Sequence, residues 1–284
     1  MDRIRRNERM AVLTKQLTAS PNRIFTLSSF CDLFGAAKST LSEDIDILRG
    51  VFETFGLGKL ETVTGAAGGV RYRACMPAQE ACQFLTEVCK ELCAPSRVLP
   101  GGFLYLSDIL SLHNLVSKMG MIIAGEFYAA EPDFVLTMET KGIPVALMTA
   151  QAMGVPLVIA RRSSKVYEGS AVNINYVSGS SGHIETMSLS RRAVQEGQRA
   201  LIVDDFLKAG GTAKGMVDLM GEFNVEVVGT AFVMATARPA SKCVQGEKAL
   251  MVMNVNGDDP ESLSVCPADW LLARAARQEK QKLA

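Results

Sequence analysis

Apolar positions along the chain follow two rhythms. In the first seventy residues they recur at helical spacing. Met10, Val12, Leu13 and Leu17 form one stripe, closed by Pro21-Asn22. Leu27, Phe30 and Leu33 predict a short second helix over residues 28–33, with all three side chains inward. After a turn at Gly35, Leu41, Ile45 and Leu48 mark a third helix over residues 38–50, with a glycine stop at Gly50. Residues 58–64 then alternate like a strand, residues 65–69 form a glycine-rich loop, and Val70-Arg71-Tyr72-Arg73 returns. Two helices joined by a short turn and followed by a hairpin predict a winged helix-turn-helix over residues 1–74.

From about Cys75 the rhythm changes. Phe84, Leu85, Val88 and Leu92 stripe one helix, and Leu115, Val116, Met119, Ile122, Ile123 and Phe127 another, across a Pro/Gly-containing connection at residues 94–102. Short apolar runs then alternate with helices. Residues 134–137 precede a helix over 144–153, 157–160 follow, 201–203 precede a helix over 212–222, and 225–234 are strand-like again. Buried strands between helices predict an α/β domain over residues 75–284, with a parallel-sheet core whose ligands gather at the carboxyl ends of the strands.

Composition narrows the classes. The 284 residues are 48% hydrophobic and 21% charged, so disorder is excluded. The net charge of zero hides an asymmetry: residues 1–74 carry 11 Lys+Arg against 8 Asp+Glu, the remainder 19 against 22. No apolar segment follows the N-terminal arginines, and none reaches the roughly 18 residues a membrane span needs, so a cytoplasmic protein is expected. Seven cysteines without a CxxC pair point to a reducing compartment. Cys82, Cys89 and Cys93 share a helix face and read as small buried apolar residues; a zinc site would need a fourth ligand of which the sequence gives no sign.

The basic excess bears on partners. Arg3, Arg5, Arg6 and Arg9 crowd ahead of the first helix, and the third opens Ala36-Ala37-Lys38-Ser39-Thr40 with Ser42. Small and hydroxyl side chains with one lysine at a helix start let the backbone approach phosphates and short side chains reach base edges. Glu43, Asp44 and Asp46 turn the helix acidic further on, so only its start can face DNA. Arg3, Arg5, Arg6, Lys38, Ser39, Thr40, Ser42 and Arg71 are the candidate contacts with double-stranded DNA. A protein-interaction or dimerisation module is the alternative reading of the same fold.

The most specific segment runs Leu201-Ile202-Val203-Asp204-Asp205-Phe206-Leu207-Lys208-Ala209-Gly210-Gly211-Thr212. Backbone amides of residues 208–212, a helix N-terminus and the Thr212 hydroxyl suit one phosphate, while carboxylates beside it suit the hydroxyls of the sugar that carries it. This resembles the signature of type I phosphoribosyltransferases, which bind 5-phosphoribosyl 1-pyrophosphate (PRPP). With Thr64-Gly65-Ala66-Ala67-Gly68-Gly69-Val70, Thr140-Lys141-Gly142-Ile143-Pro144 and Asn175-Tyr176-Val177-Ser178-Gly179-Ser180-Ser181, the whole chain resembles the purine operon repressors of Gram-positive bacteria, a winged helix fused to a type I phosphoribosyltransferase-like domain. The resemblance implies that Asp204 and Asp205 hold ribose hydroxyls and that Phe206, Lys208 and residues 209–212 surround the 5-phosphate. Glu139, Thr140, Lys141 and Gly142 would form the diphosphate loop, with Pro144 at the first position of the next helix, and Arg161, Arg162 and Lys165 would be further diphosphate ligands. Residues 165–192 would be a flexible loop, and Tyr105 would cap the ligand. It further implies a homodimeric, DNA-binding regulator of purine genes, with PRPP and Mg2+ as effector and no prosthetic group, catalytic residue or resident metal. The enzymes' signature usually has a hydroxyl residue where Ala209 stands. A catalytic purine phosphoribosyltransferase with an accessory winged helix is the rival expectation.

Overall fold

A computed structural model describes residues 4–65, 68–99, 103–164, 169–178, 182–254 and 262–283. By its contacts the chain divides into two units: residues 1–77 with Gln151–Gly154, and Ala78–Ala150 with Val155–Ala284.

In the first unit, helices α1 (Arg6–Ala19), α2 (Leu27–Phe34) and α3 (Lys38–Phe55) precede the hairpin of β1 (Lys59–Val63) and β2 (Gly69–Arg73). Leu13 and Leu17 of α1 meet Leu41, Ile45, Leu48 and Phe52 of α3 in a core where each is at most 4% exposed. Thr26 caps α2 by accepting a hydrogen bond from Ser29 N at 3.3 Å. Phe25 bridges to Val70 of β2 through two hydrogen bonds of 2.9 Å, completing the winged-helix arrangement. Two expectations are corrected. Helix α3 runs through Gly50 to Phe55 and stops at Gly56, whose φ of 64° is left-handed. Burying Phe52 on the same stripe outweighs the roughly 1 kcal/mol that a helical glycine costs. Leu33 faces solvent at 45% exposure, and Phe34 takes the inward position.

The second unit is built on a six-stranded sheet of order β12-β11-β10-β9-β5-β6. Its strands are β5 (Phe134–Met138), β6 (Leu157–Ala160), β9 (Arg199–Leu207), β10 (Glu226–Thr236), β11 (Lys248–Asn254) and β12 (Ser264–Pro267); all neighbours are parallel except β11 and β12. All five residues of β5 are buried, which explains why four of them are apolar. Helix α4 (Ala78–Leu92) packs on β11, β12 and α9 (Asp269–Leu283), and α6 (His113–Phe127) packs along β10. A two-residue ribbon, β3 (Val98–Leu99) with β4 (Phe103–Leu104), leads into the short α5 (Ser107–Ser111). Helices α7 (Ile143–Met153) and α8 (Gly211–Gly221) follow β5 and β9. Pro144 is thus the second residue of α7, not the first, and β9 continues through Asp204 and Asp205 instead of ending before them.

The largest correction concerns residues 165–192. Those that are described include an antiparallel hairpin, β7 (Ala171–Val177) with β8 (Ile184–Ser190), in continuous register. Its Val172, Tyr176, Met187 and Leu189 join Met216, Leu219 and Met220 of α8 in one apolar cluster over the sheet. Alternation that reads as a polar loop is a half-buried ribbon with one face in the core. Of the three cysteines expected on one helix face, Cys89 is buried and Cys82 only partly so, while Cys93 lies just past the end of α4 and is also partly buried. Burial pushes the Cys89 thiol up to about 12, with Cys266 and Cys93 adding to the effect.

Candidate functional site

The carboxyl ends of adjacent strands β5 and β9 bring the two signature segments together. Asp204 is 7% exposed, and Asp205 N donates to its Oδ1 at 3.0 Å. Gly142, at the start of α7, lies against this carboxylate: a Cβ there would come within 2.0 Å of Asp204 Oδ1 and 2.6 Å of Thr137 Oγ1. The loop therefore needs a residue without a side chain. Burial pushes Asp204 well above the usual carboxylate range, and the neighbouring Asp205 charge pushes it further. Asp205 is also raised by burial, against the favourable pull of its hydrogen bonds and of Lys141. Two adjacent acids so placed are poised to accept hydrogen bonds from vicinal hydroxyls, which favour the ionised form.

Beyond them the chain turns through a small cavity of about 150 Å³, lined by Asp204, residues 206–213 and Phe232. Gly210 caps α8 with a φ of 92°, a conformation that side chains disfavour, and no side chain caps the helix. The first amides of α8 are thus left for an incoming anion. Cys243 N braces the loop from outside, donating to Ala209 O at 2.9 Å. Asp204, Phe206, Lys208, Ala209, Gly210, Gly211 and Thr212 all line this one space, while Gly142 packs against Asp204 and the charge of Lys141 acts on Asp205. Phe232 and Thr137 were missed by sequence reasoning. Both are apolar-strand neighbours that only the register of β10 and β5 brings to the site.

Glu139, Arg161 and Arg162 are engaged with protein groups. Glu139 Oε1 accepts from Arg162 N at 2.7 Å, and its Oε2 lies 3.6 Å from Arg161 Nη1. Thr140 is exposed beside it. Arg162 Nη1 donates to Glu185 at 2.8 Å, and Tyr176 Oη donates to the same carboxylate at 2.9 Å. Burial raises the Tyr176 phenol, and Glu185 adds to it. The hairpin is thereby fastened to the end of β6, where Arg161 and Ser188 also exchange two backbone hydrogen bonds of 2.9 and 2.7 Å. Tyr105 is 45% exposed and is not among the residues lining the 150 Å³ cavity. Its backbone is fixed by Arg97, which also clamps Asp108. Lys165 lies outside the described residues.

In the first unit, Lys38, Ser39 and Ser42 are exposed and Thr40 half-buried at the start of α3, where Ala37 leaves the helix amides without a side-chain cap. The arginines behave differently. Arg9 is buried and donates to Asp44 at 2.7 Å and to Ile4 O at 2.9 Å. Arg6 meets Glu43 and Asp44, each at 3.0 Å. Asp44 is fully buried, so it joins α1 to α3 and adds no acidity to the surface. Arg71 donates to Glu61 at 3.2 Å, and Arg73 lies 2.7 Å from the same carboxylate. Burial opposes the Glu61 charge, but Arg73 and Arg71 together hold that carboxyl below its usual range. Arg9 is therefore a structural cation of the winged helix, while Arg6 and Arg71, both candidate DNA contacts, are each paired with an acid of their own unit. Arg5 caps α1 through its backbone N–H, which donates to Glu8 at 2.7 Å, and Arg3 lies outside the described residues. Arg49, which the sequence left unremarked, straps α3 to β1 by donating to Leu60 O at 3.3 Å and Thr62 Oγ1 at 2.9 Å.

Fold and site together define a two-part protein, a winged helix joined to a phosphoribosyltransferase-like domain. Residues 5–74 match the family described as "Bacterial purine repressor, N-terminal", and residues 106–269 match "Phosphoribosyl transferase domain". The chain is 41% identical to the purine biosynthesis transcriptional repressor PurR of Bacillus subtilis, over 95% of this chain and 94% of that protein. It is 39% identical to the purine biosynthesis transcriptional activator PurR of Lactococcus lactis subsp. lactis, over 87% of this chain and 92% of that protein. Among solved structures, adenine phosphoribosyltransferase from Rhodothermus marinus superposes with a TM-score of 0.51 at 21% identity, covering 60% of this chain and 97% of that one, a likeness of fold. The chain belongs to the PurR family of purine biosynthesis transcriptional regulators. Among the described residues, no helix is long and apolar enough to cross a membrane.

Proposed function

We propose that this chain is a cytoplasmic, DNA-binding regulator of purine biosynthesis genes whose hold on its operator is set by PRPP. Repression is the sign we assign, following the name of the Bacillus relative. The observation that carries the effector reading is the cavity at the end of β9, where buried carboxylates stand beside uncapped helix amides. A phosphate on those amides and ribose hydroxyls on Asp204 and Asp205 match the two halves of one sugar phosphate. Lys141 supplies a cation for the diphosphate. Mg2+ would accompany the effector as a counter-ion to its diphosphate.

The winged helix presents the start of α3 to the major groove, and two copies in a homodimer read two half-sites. PRPP acts by binding the DNA-free and DNA-bound states unequally, which is the only way a ligand shifts such an equilibrium. The protein reports PRPP and does not consume it. The test is operator binding at fixed salt with and without PRPP and Mg2+, alongside an assay of pyrophosphate release with adenine, guanine, hypoxanthine or xanthine. The expected result is weaker operator binding with PRPP, lost in Asp204→Asn/Asp205→Asn while basal DNA binding persists, and no turnover. An operator affinity indifferent to PRPP would end the sensor reading, and clear turnover would favour the enzyme.

A further inference from the structure

Strand β5 carries one polar residue, Thr137, among the apolar Phe134, Val135, Leu136 and Met138. Its side chain is fully buried, at 0% exposure, and its Oγ1 has no hydrogen-bond partner among the described residues. A hydroxyl in that state has lost its bonds to water without replacing them, a cost that valine in the same place would not carry. The strand thus holds a polar atom that folding alone does not use.

Its surroundings show where it acts. A Cβ on Gly142 would meet Asp204 Oδ1 at 2.0 Å and Thr137 Oγ1 at 2.6 Å, so the two oxygens converge on one side of that glycine. Strands β5 and β9 are neighbours, with Leu136 opposite Ile202, and Thr137 therefore approaches Asp204 from the adjoining strand. Asp204 Oδ1 already accepts from Asp205 N at 3.0 Å. The Thr137 hydroxyl beside it also favours the ionised carboxylate, whereas burial and the charge of Asp205 oppose it. Of the other groups around this corner, Lys141 acts on Asp205, Lys208 lines the same cavity, and Phe232 closes it without a charge.

We propose that Thr137 is a positioning residue of the effector site, whose hydroxyl donates to Asp204 and holds that carboxylate ready to accept from the ribose hydroxyls. The inference rests on the effector reading and adds to it the group that makes a buried acid usable. An ionised carboxylate accepts from hydroxyls more strongly than a protonated one, and in a dry strand end it stays ionised through fixed donors behind it. The unpartnered hydroxyl is then explained: its cost to the empty protein is recovered when the sugar arrives.

The test uses the full-length protein with ribose 5-phosphate and 2-deoxyribose 5-phosphate, which differ by one of the two vicinal hydroxyls assigned to Asp204 and Asp205. Calorimetric titration reads both affinities, and thermal unfolding without ligand reads stability. The protein is expected to prefer ribose 5-phosphate at least about tenfold. Thr137→Val keeps the branched shape and removes the hydroxyl. It should bind ribose 5-phosphate about tenfold more weakly, bind the deoxy sugar nearly as before, and unfold at the same Tm or higher. Thr137→Ala should lose the same preference, so the outcome does not hang on the fold of one variant, and Thr137→Ser should restore it. On acidification, ribose 5-phosphate binding should fail at a higher pH in Thr137→Val, because losing a donor to the charged form raises Asp204 further. Taking the ratio of variant to unsubstituted protein at each pH removes the titration of the ligand's own phosphate. A lower Tm with equal loss of both sugars would make Thr137 a packing element and overturn the proposal. So would an unchanged preference in Thr137→Val and Thr137→Ala, or a failure of Thr137→Ser to restore it. If the unsubstituted protein binds both sugars equally, the assignment of ribose hydroxyls to Asp204 and Asp205 falls first, and this inference with it.

Discussion

Replacing Gly142 by alanine adds one methyl group at the tightest point of the effector site. The new carbon would stand 2.0 Å from Asp204 Oδ1 and 2.6 Å from Thr137 Oγ1, so something has to move by more than about 1 Å to reach ordinary contact. Asp204 cannot retreat freely. It is 7% exposed, its Oδ1 holds Asp205 N at 3.0 Å, and its strand is fixed by β10 on one side and β5 on the other. Either the carboxylate rotates and gives up that hydrogen bond, or the loop between β5 and α7 lifts away. Overpacking of this kind costs about 1–3 kcal/mol and a lost hydrogen bond to a charged group about 1.5 kcal/mol or more. Together they amount to about 2.5–4.5 kcal/mol. For a unit of this size that corresponds to a Tm lower by roughly 5–18 °C. Calorimetric unfolding of the full-length protein measures that part. Titration with PRPP and Mg2+ measures the other, where affinity should fall at least about tenfold, since both the loop and the carboxylate are displaced. An alanine variant with unchanged Tm and unchanged PRPP affinity would show that Gly142 and Asp204 do not meet as described.

Two further perturbations address the first unit. Arg9→Ala strands the buried Asp44 carboxylate with only Arg6 beside it and should destabilise that unit by about 3–5 kcal/mol. Urea unfolding measures the effect, and an unmoved midpoint would mean that the pair does not join α1 to α3. Lys38→Ala should lower the slope of log operator affinity against log salt by about one unit, whereas Arg71→Ala, whose cation is paired with Glu61, should leave it unchanged. The opposite pattern would return Arg71 to the DNA face and remove Lys38 from it.

Much of this architecture was legible from residue pattern because local rules and packing agree in it. The stripe of Leu41, Ile45 and Leu48, the apolar run of β5 and the Asp-Asp-to-glycine turn each announce their role without a distant partner. The failures share a physical cause. The ion pairs of Arg6 could not be read from its neighbours, because its carboxylate partners, Glu43 and Asp44, lie more than thirty positions away in sequence. Gly50 read as a stop because its own propensity was weighed without Phe52 two residues later. Strands β7 and β8 read as a flexible loop because only alternate residues are apolar, and their covering helix, α8, comes later in the chain. Strands β11 and β12 and helix α9 gave no isolated signal that the reading used.

Arg161 and Arg162 meet carboxylates of their own chain, Glu139 and Glu185, at the mouth of the strand ends. A polyanion reaching them does not fall onto bare cations; it takes the seat of a resident acid. Such an exchange leaves the local charge nearly constant, so recognition there is governed by how well the newcomer's oxygens fit, compared with the glutamates they replace. Ionic strength, which weakens attraction to an open basic surface, has little leverage on a substitution of one anion for another. For the effector proposed above, recognition at this corner would then rest on shape more than on simple attraction.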